Sequence, residues 1–77
     1  MSRIAALQSQ LAVRQAYVTY YDARIRSGIY KTRKVQKGIG GPYYTEEELL
    51  EDEMRTMLRH IHLMNELSDE ICGEANP

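Results

Sequence analysis

Two histidines flank one isoleucine in His60-Ile61-His62, and a run of carboxylates, Glu46-Glu47-Glu48 with Glu51 and Asp52, lies a few turns before them. Imidazoles and carboxylates at helical spacing are the raw material of metal sites and of acid–base chemistry. The spacing argues against both. Side chains two apart on a helix point about 200° from one another, so His60 and His62 do not share an ion; chelation needs a separation of three or four. His62 and Glu66 have that separation, but one such pair is not a site, and both histidines read as polar-face residues with Arg59 near them. A hard-cation cage needs six or more converging oxygens. Carboxylates in the first turns of a helix already have a sufficient local role at the positive end of its dipole. Cys72 is the single cysteine, which rules out an internal disulfide, leaves a thiolate metal site short of ligands and fits a reducing compartment. No Ser, Cys or Asp has an evident triad partner, and a chain of 77 residues offers little concavity. The sequence therefore predicts a protein that is not an enzyme and carries no metal or cofactor.

A second stretch with chemical content is Gly28 to Tyr44, GIYKTRKVQKGIGGPYY. It holds four of the five glycines, three of the six tyrosines and the cations Lys31, Arg33, Lys34 and Lys37. A phosphate-binding loop of the Walker type needs a Lys-Ser/Thr pair after its last glycine, and KGIGGPYYT has none. A dinucleotide fingerprint needs a preceding strand, which is also missing. What remains is a connector with a hairpin signal. Ile29 to Gln36 is rich in β-branched residues and tyrosine, Lys37 to Gly41 is turn chemistry, and Pro42-Tyr43-Tyr44 suits a short return strand with Pro at its edge. Lys31, Arg33, Lys34 and Lys37 interleaved with Tyr30, Tyr43 and Tyr44 would make a projecting basic finger able to meet phosphates or an acidic protein surface. The alternative is a solvated loop whose charges offset an acidic helix.

Helices must position this connector. In the first flank Ile4, Leu7, Leu11, Val18, Tyr21 and Ile25 follow three- and four-residue steps, interrupted only by Arg14. Ser2 suits the N-cap and Gly28 a left-handed C-terminal stop. In the second flank Leu50, Met54, Met57, Ile61, Met64 and Ile71 make the stripe, widened by Leu49, Leu58 and Leu67. Thr45 and Glu48 form a capping box at its start. Leu7, Leu11, Val18, Leu50, Met54, Met57, Ile61 and Met64 are the expected apolar core or interface. One small domain follows: a helix over 2–27, a hairpin or loop over 28–44, a helix over 45–72 stopped by Gly73, and a frayed tail at 73–77. The fold class is mainly α, or α+β if the hairpin forms, with two long antiparallel helices.

The formal net charge of −1 conceals a strong polarity. Residues 1–42 carry eight basic side chains and one acid, a net +7; residues 43–77 carry ten acids and two arginines, a net −8. Such halves attract one another, within one molecule or head to tail between copies. A chain this short buries too little surface to be very stable alone, so part of its apolar surface is expected against another chain. The N-terminus is broken by Arg and Gln before any secretory apolar core, and no apolar run is long enough to span a bilayer. A soluble, intracellular protein that makes no membrane contact is expected.

A first helix closing in YYDARIRSG, a hairpin with KVQKG, and YYTEEELLEDEMRTMLRHI leading through a Thr cap into the second helix together resemble the small phage head-completion, or head-to-tail joining, proteins of the lambda W type. The resemblance covers about Val13 to Leu67, with a longer Gly-rich turn and a more acidic second helix than the family pattern. It implies a structural protein of the virion or host cytoplasm. Copies would form a homo-oligomeric ring at the portal, close the DNA-filled head and meet tail components, with basic residues able to face DNA. The positions it carries over are Lys34, Val35, Gln36, Lys37 and Gly38 in the hairpin and Thr45 at the cap.

Two other classes compete with that reading. One is a small regulatory binder acting on a larger host protein through Met54, Met57 and Met64, since methionine faces are adaptable, although at core spacing methionines usually are core. The other is a nucleic-acid-binding module, favoured by the basic first half and disfavoured by the near-neutral total.

Overall fold

The computed structural model describes residues 2–75. Helix α1 spans Arg3–Ser27, a 3₁₀ turn follows at Ile29–Thr32, and helix α2 spans Glu46–Ala75. The fold is a mainly α, two-helix hairpin, and the described residues contain no β-strand. Contacts across it run in opposite directions along the two helices: Arg3 meets Glu70 and Glu74, Arg14 meets His60, and Arg24 meets Glu53. The complementary charges of the two halves are thus used within one molecule.

The helix ends follow local chemistry. Ser2 Oγ accepts from the Ala5 N–H at 3.1 Å, which satisfies one orphan donor of α1. Gly28 sits at φ 71°, the left-handed stop that side chains disfavour, and its N–H bonds to Ile25 O. Thr45 and Glu48 close the expected capping box: the Thr45 N–H donates to Glu48 Oε1 at 3.1 Å and the Glu48 N–H to Thr45 Oγ1 at 3.2 Å.

Two expectations are corrected here. Gly73 does not stop α2, which continues to Ala75; Arg3 Nε pairs with Glu74 at 2.8 Å and ties this last turn to the start of α1. Asn76 and Pro77, the rest of the expected frayed tail, lie outside the described residues. The β-hairpin reduces to a single antiparallel bridge, Gln36 to Tyr43. Pro42 has no N–H for a longer ladder, and glycines 38, 40 and 41 leave little side chain to pack.

Leu7, Tyr30 and Leu49 are the only buried apolar residues among those described, and Glu53 is buried with them. Around them Ile4, Leu11, Val18, Tyr21, Ile25, Leu50, Met57, Ile61, Met64, Leu67 and Ile71 are half-buried. Met54, expected in the stripe, and Leu58, expected at its edge, are exposed. The face of α2 that meets α1 also holds Glu53, bonded to Arg24, and His60, stacked on Tyr17, so polar residues share the side on which most of the apolar stripe lies. The molecule measures 54 × 25 × 19 Å with a radius of gyration of 16.9 Å, against about 11.5 Å for a compact chain of this length. No described helix is long and apolar enough to cross a membrane.

Candidate functional site

The connector between the helices is anchored at its start. Tyr30 inserts between the elements and is buried, Thr32 Oγ1 donates to Ile29 O at 2.7 Å, and the Arg33 N–H bonds to Tyr30 O. This corrects one member of the expected finger: Tyr30 is a structural anchor and is not available as an aromatic contact. Beyond Arg33 the chain extends, pairs Tyr44 N–H with Val35 O and Lys37 N–H with Pro42 O, both at 2.8 Å, and turns through Gly38 to Gly41. Gly40, at φ 73°, gives the turn its left-handed residue. Ile39 stands fully exposed at the tip.

The four cations separate into two pairs. Arg33 Nη1 lies 3.6 Å from Glu53 Oε1, and Lys37 Nζ lies 2.9 Å from Glu48 Oε2 and over the Tyr44 ring. Both therefore fasten the connector to α2. Lys31 and Lys34 are exposed and make no ion pair among the described residues. Tyr43 and Tyr44 are also exposed. The surface left for recognition is thus Lys31, Lys34, Tyr43, Tyr44 and Ile39.

Glu53 is the centre of the charged seat beneath the connector. Arg24 Nε donates to both its oxygens, at 3.0 and 3.2 Å, and Arg24 Nη2 donates to Oε1 at 2.7 Å. Arg24 also donates to Tyr20 Oη and lies over the Tyr20 ring. Bonding to Glu53 raises the guanidinium even further above its usual range, so Arg24 stays charged at any accessible pH. A shallow groove of about 320 Å³ runs beside this seat, walled by Arg33, Val35 and Tyr44 on one side and Glu48, Leu49, Asp52 and Arg55 on the other. It opens to solvent and mixes both signs of charge.

The histidines separate as well. His62 is exposed and lies 3.2 Å from Glu66. His60 is not on the polar face: it stacks on Tyr17 at 4.7 Å with an interplanar angle of 8°, lies against Tyr21 at 5.9 Å, and has Arg14 Nη1 3.2 Å from its Nδ1. A guanidinium only donates, so in this contact Nδ1 is the acceptor. Arg14, the one interruption of the α1 stripe, is explained by this contact. Among the described residues no group of three or more His, Cys, Asp or Glu is arranged to hold a metal ion.

The Glu48 carboxylate is held below its ordinary value by the bond from Lys37 first and by the Thr45 N–H second. A carboxylate depressed in the folded state stabilises above its unfolded pKa, near 4.5, and loses that contribution as pH falls through the lower folded value. Glu48→Gln should remove this part of the acid sensitivity: the stability difference between wild type and variant, from urea unfolding, should be full at pH 7 and shrink below pH 4.5. A difference independent of pH would refute the linkage.

In comparisons with known proteins, no family model, curated protein or solved structure matches this chain.

Proposed function

We propose that this chain is a non-enzymatic assembly adaptor that works by docking against other protein chains. The form we favour is the one its resemblance to lambda W-type proteins implies: head completion in a tailed phage, as a ring of copies at the portal. One observation carries the adaptor reading. The accessible surface is 5862 Å², whereas a compact monomer of this mass exposes about 4,800 Å². An excess of roughly 1,000 Å² is comparable to what one partner contributes to a standard protein–protein interface. The buried core is correspondingly thin, which is expected of a part completed by its neighbours. The specific phage role is supported by the layout of helix, basic connector and Thr-capped acidic helix.

Two free lysines at the connector are too few to supply the phosphate contacts of a DNA-binding module, which favours a protein partner. The test is co-sedimentation of the purified chain with an isolated portal ring, using Lys31→Gln/Lys34→Gln as the variant. Neither lysine makes an ion pair among the described residues, so the variant should keep its unfolding free energy within about 0.5 kcal/mol while binding to the ring weakens. Failure of wild type to bind the ring would remove the phage reading. A steeply salt-dependent shift of duplex DNA would replace it with the nucleic-acid one.

A further inference from the structure

Each helix of the hairpin carries an apolar patch that its own partner helix covers only in part, Tyr17 giving one face of its ring to His60. On α1 Val13, Tyr17 and Tyr20 are 53, 46 and 52% exposed, and with Ala16 they line a shallow groove of about 340 Å³. Their spacing of four and three residues places them on one face. On α2 Met54 and Leu58, four apart, are 43 and 58% exposed, on a flank away from the Leu49, Glu53 and His60 line that meets α1.

Charge selects what covers them. Helix α1 carries four arginines and one aspartate, a net +3, whereas α2 carries ten carboxylates and two arginines, a net −8. Pairing α1 with α1, or α2 with α2, would set like charge against like; pairing α1 of one copy with α2 of the next sets opposites together. The arginines of α1 already have partners inside the chain, Arg3 in Glu70 and Glu74, Arg14 in His60, Arg24 in Glu53 and Arg26 in Asp22, but the larger negative charge of α2 is not balanced by them, since Glu46, Glu47, Glu51 and Asp52 make no ion pair among the described residues.

We infer that copies of this chain join head to tail, the Val13, Ala16, Tyr17 and Tyr20 face of one packing on the Met54 and Leu58 face of the next. The inference rests on the adaptor reading and names the contact that such an assembly uses. A contact between two different surfaces leaves each copy with one face open, so it propagates to a ring or a filament and does not stop at a dimer. An excess surface of roughly 1,000 Å², shared between two such faces, makes each junction small by the standard of stable interfaces. Single junctions are therefore weak, and closure of a ring, which holds every copy twice, supplies the stability.

The experiment is sedimentation velocity of the full chain at low salt, from about 10 μM to about 1 mM, a range that brackets weak association. Wild type should sediment faster as concentration rises, and less so in high salt. Val13→Glu sets a carboxylate against the acidic helix of the neighbour, and Leu58→Lys sets a cation against the basic one. Each should weaken self-association about tenfold or more with unchanged helical circular dichroism. The two variants mixed in equal amounts should associate more strongly than either alone, because Val13→Glu keeps the α2 face, Leu58→Lys keeps the α1 face, and the two altered faces carry opposite charges. Wild type that stays monomeric across the range overturns the inference, as does a mixture no more associated than its components. Self-association of either variant at wild-type strength also overturns it, since that marks a symmetric contact. A monomeric wild type that still binds a portal ring would leave the adaptor reading standing and remove only this junction.

Discussion

Glu53→Ala should cost about 3 kcal/mol of folding stability, the toll of removing one member of a buried, hydrogen-bonded ion pair. Glu53 is 3% exposed, accepts three N–H contacts from Arg24 and faces Arg33. Without it two guanidinium groups from different elements converge on a site that has lost its anion. Arg24 is still held by Tyr20, and Arg33 is half exposed, so water recovers part of the loss, and the estimate sits at the low end of the range for fully buried pairs. A small domain of this size has only about 3–5 kcal/mol to lose. Glu53→Ala should therefore be largely unfolded under conditions where wild type is folded, as read by helical circular dichroism in urea. Glu53→Gln keeps an acceptor for one guanidinium and should lie between the two. A cost for Glu53→Ala within about 0.5 kcal/mol, the range of an ordinary surface change, would show that the junction of α1, α2 and the connector does not depend on this carboxylate.

That dependence was not visible in the sequence, for a physical reason. The carboxylates from Glu46 to Asp52 have a local explanation in the helix dipole, and Glu53 follows them without a break, so nothing in its neighbourhood marks it as the buried one. Its position is set by Arg24, 29 residues earlier. Local features were legible: the Ser2 cap, the Gly28 stop and the Thr45–Glu48 box each depend on residues within four positions, and all three are formed. The existence and direction of both helices followed from the same short-range signals. What periodicity left out was that polar residues share the contact face on α2, and that Met54 and Leu58 stand outside it. Apolar letters occur on two flanks of that helix, and Leu50, Met54, Met57 and Ile61 outnumber Leu49 as a pattern. The structure nevertheless turns Glu53 and His60 toward α1, because Arg24, Arg14 and Tyr17 are there to satisfy them. A polar pair divided between two helices gives no periodic signal in either one.

The connector shows the same limit in the other direction. Its turn residues and its basic character were legible, but a β ladder depends on paired backbone donors, and Pro42 together with three nearby glycines leaves one bridge. Whether its cations are free or spoken for depended on the distant carboxylates Glu48 and Glu53, and half of them are spoken for.

The contact face of α2 also yields the second large effect. Leu49→Ala should cost about 3 kcal/mol, since Leu49 is 7% exposed and truncating a buried leucine loses its transfer energy and leaves a void. Leu58→Ala, on the exposed flank, should stay within about 0.5 kcal/mol. Both are measured by urea unfolding at low concentration, where chains are monomeric, so that any junction through Leu58 does not enter. Apolar periodicity alone places both residues at the edges of one stripe and would give them similar costs. A Leu58→Ala cost equal to that of Leu49→Ala would therefore turn the contact face back toward Met54 and withdraw the α2 patch from the proposed junction. A large gap between them, joined to weaker sedimentation of Leu58→Lys at high concentration, would separate the two duties of the helix: Leu49 holding the hairpin closed, and Leu58 holding one copy to the next.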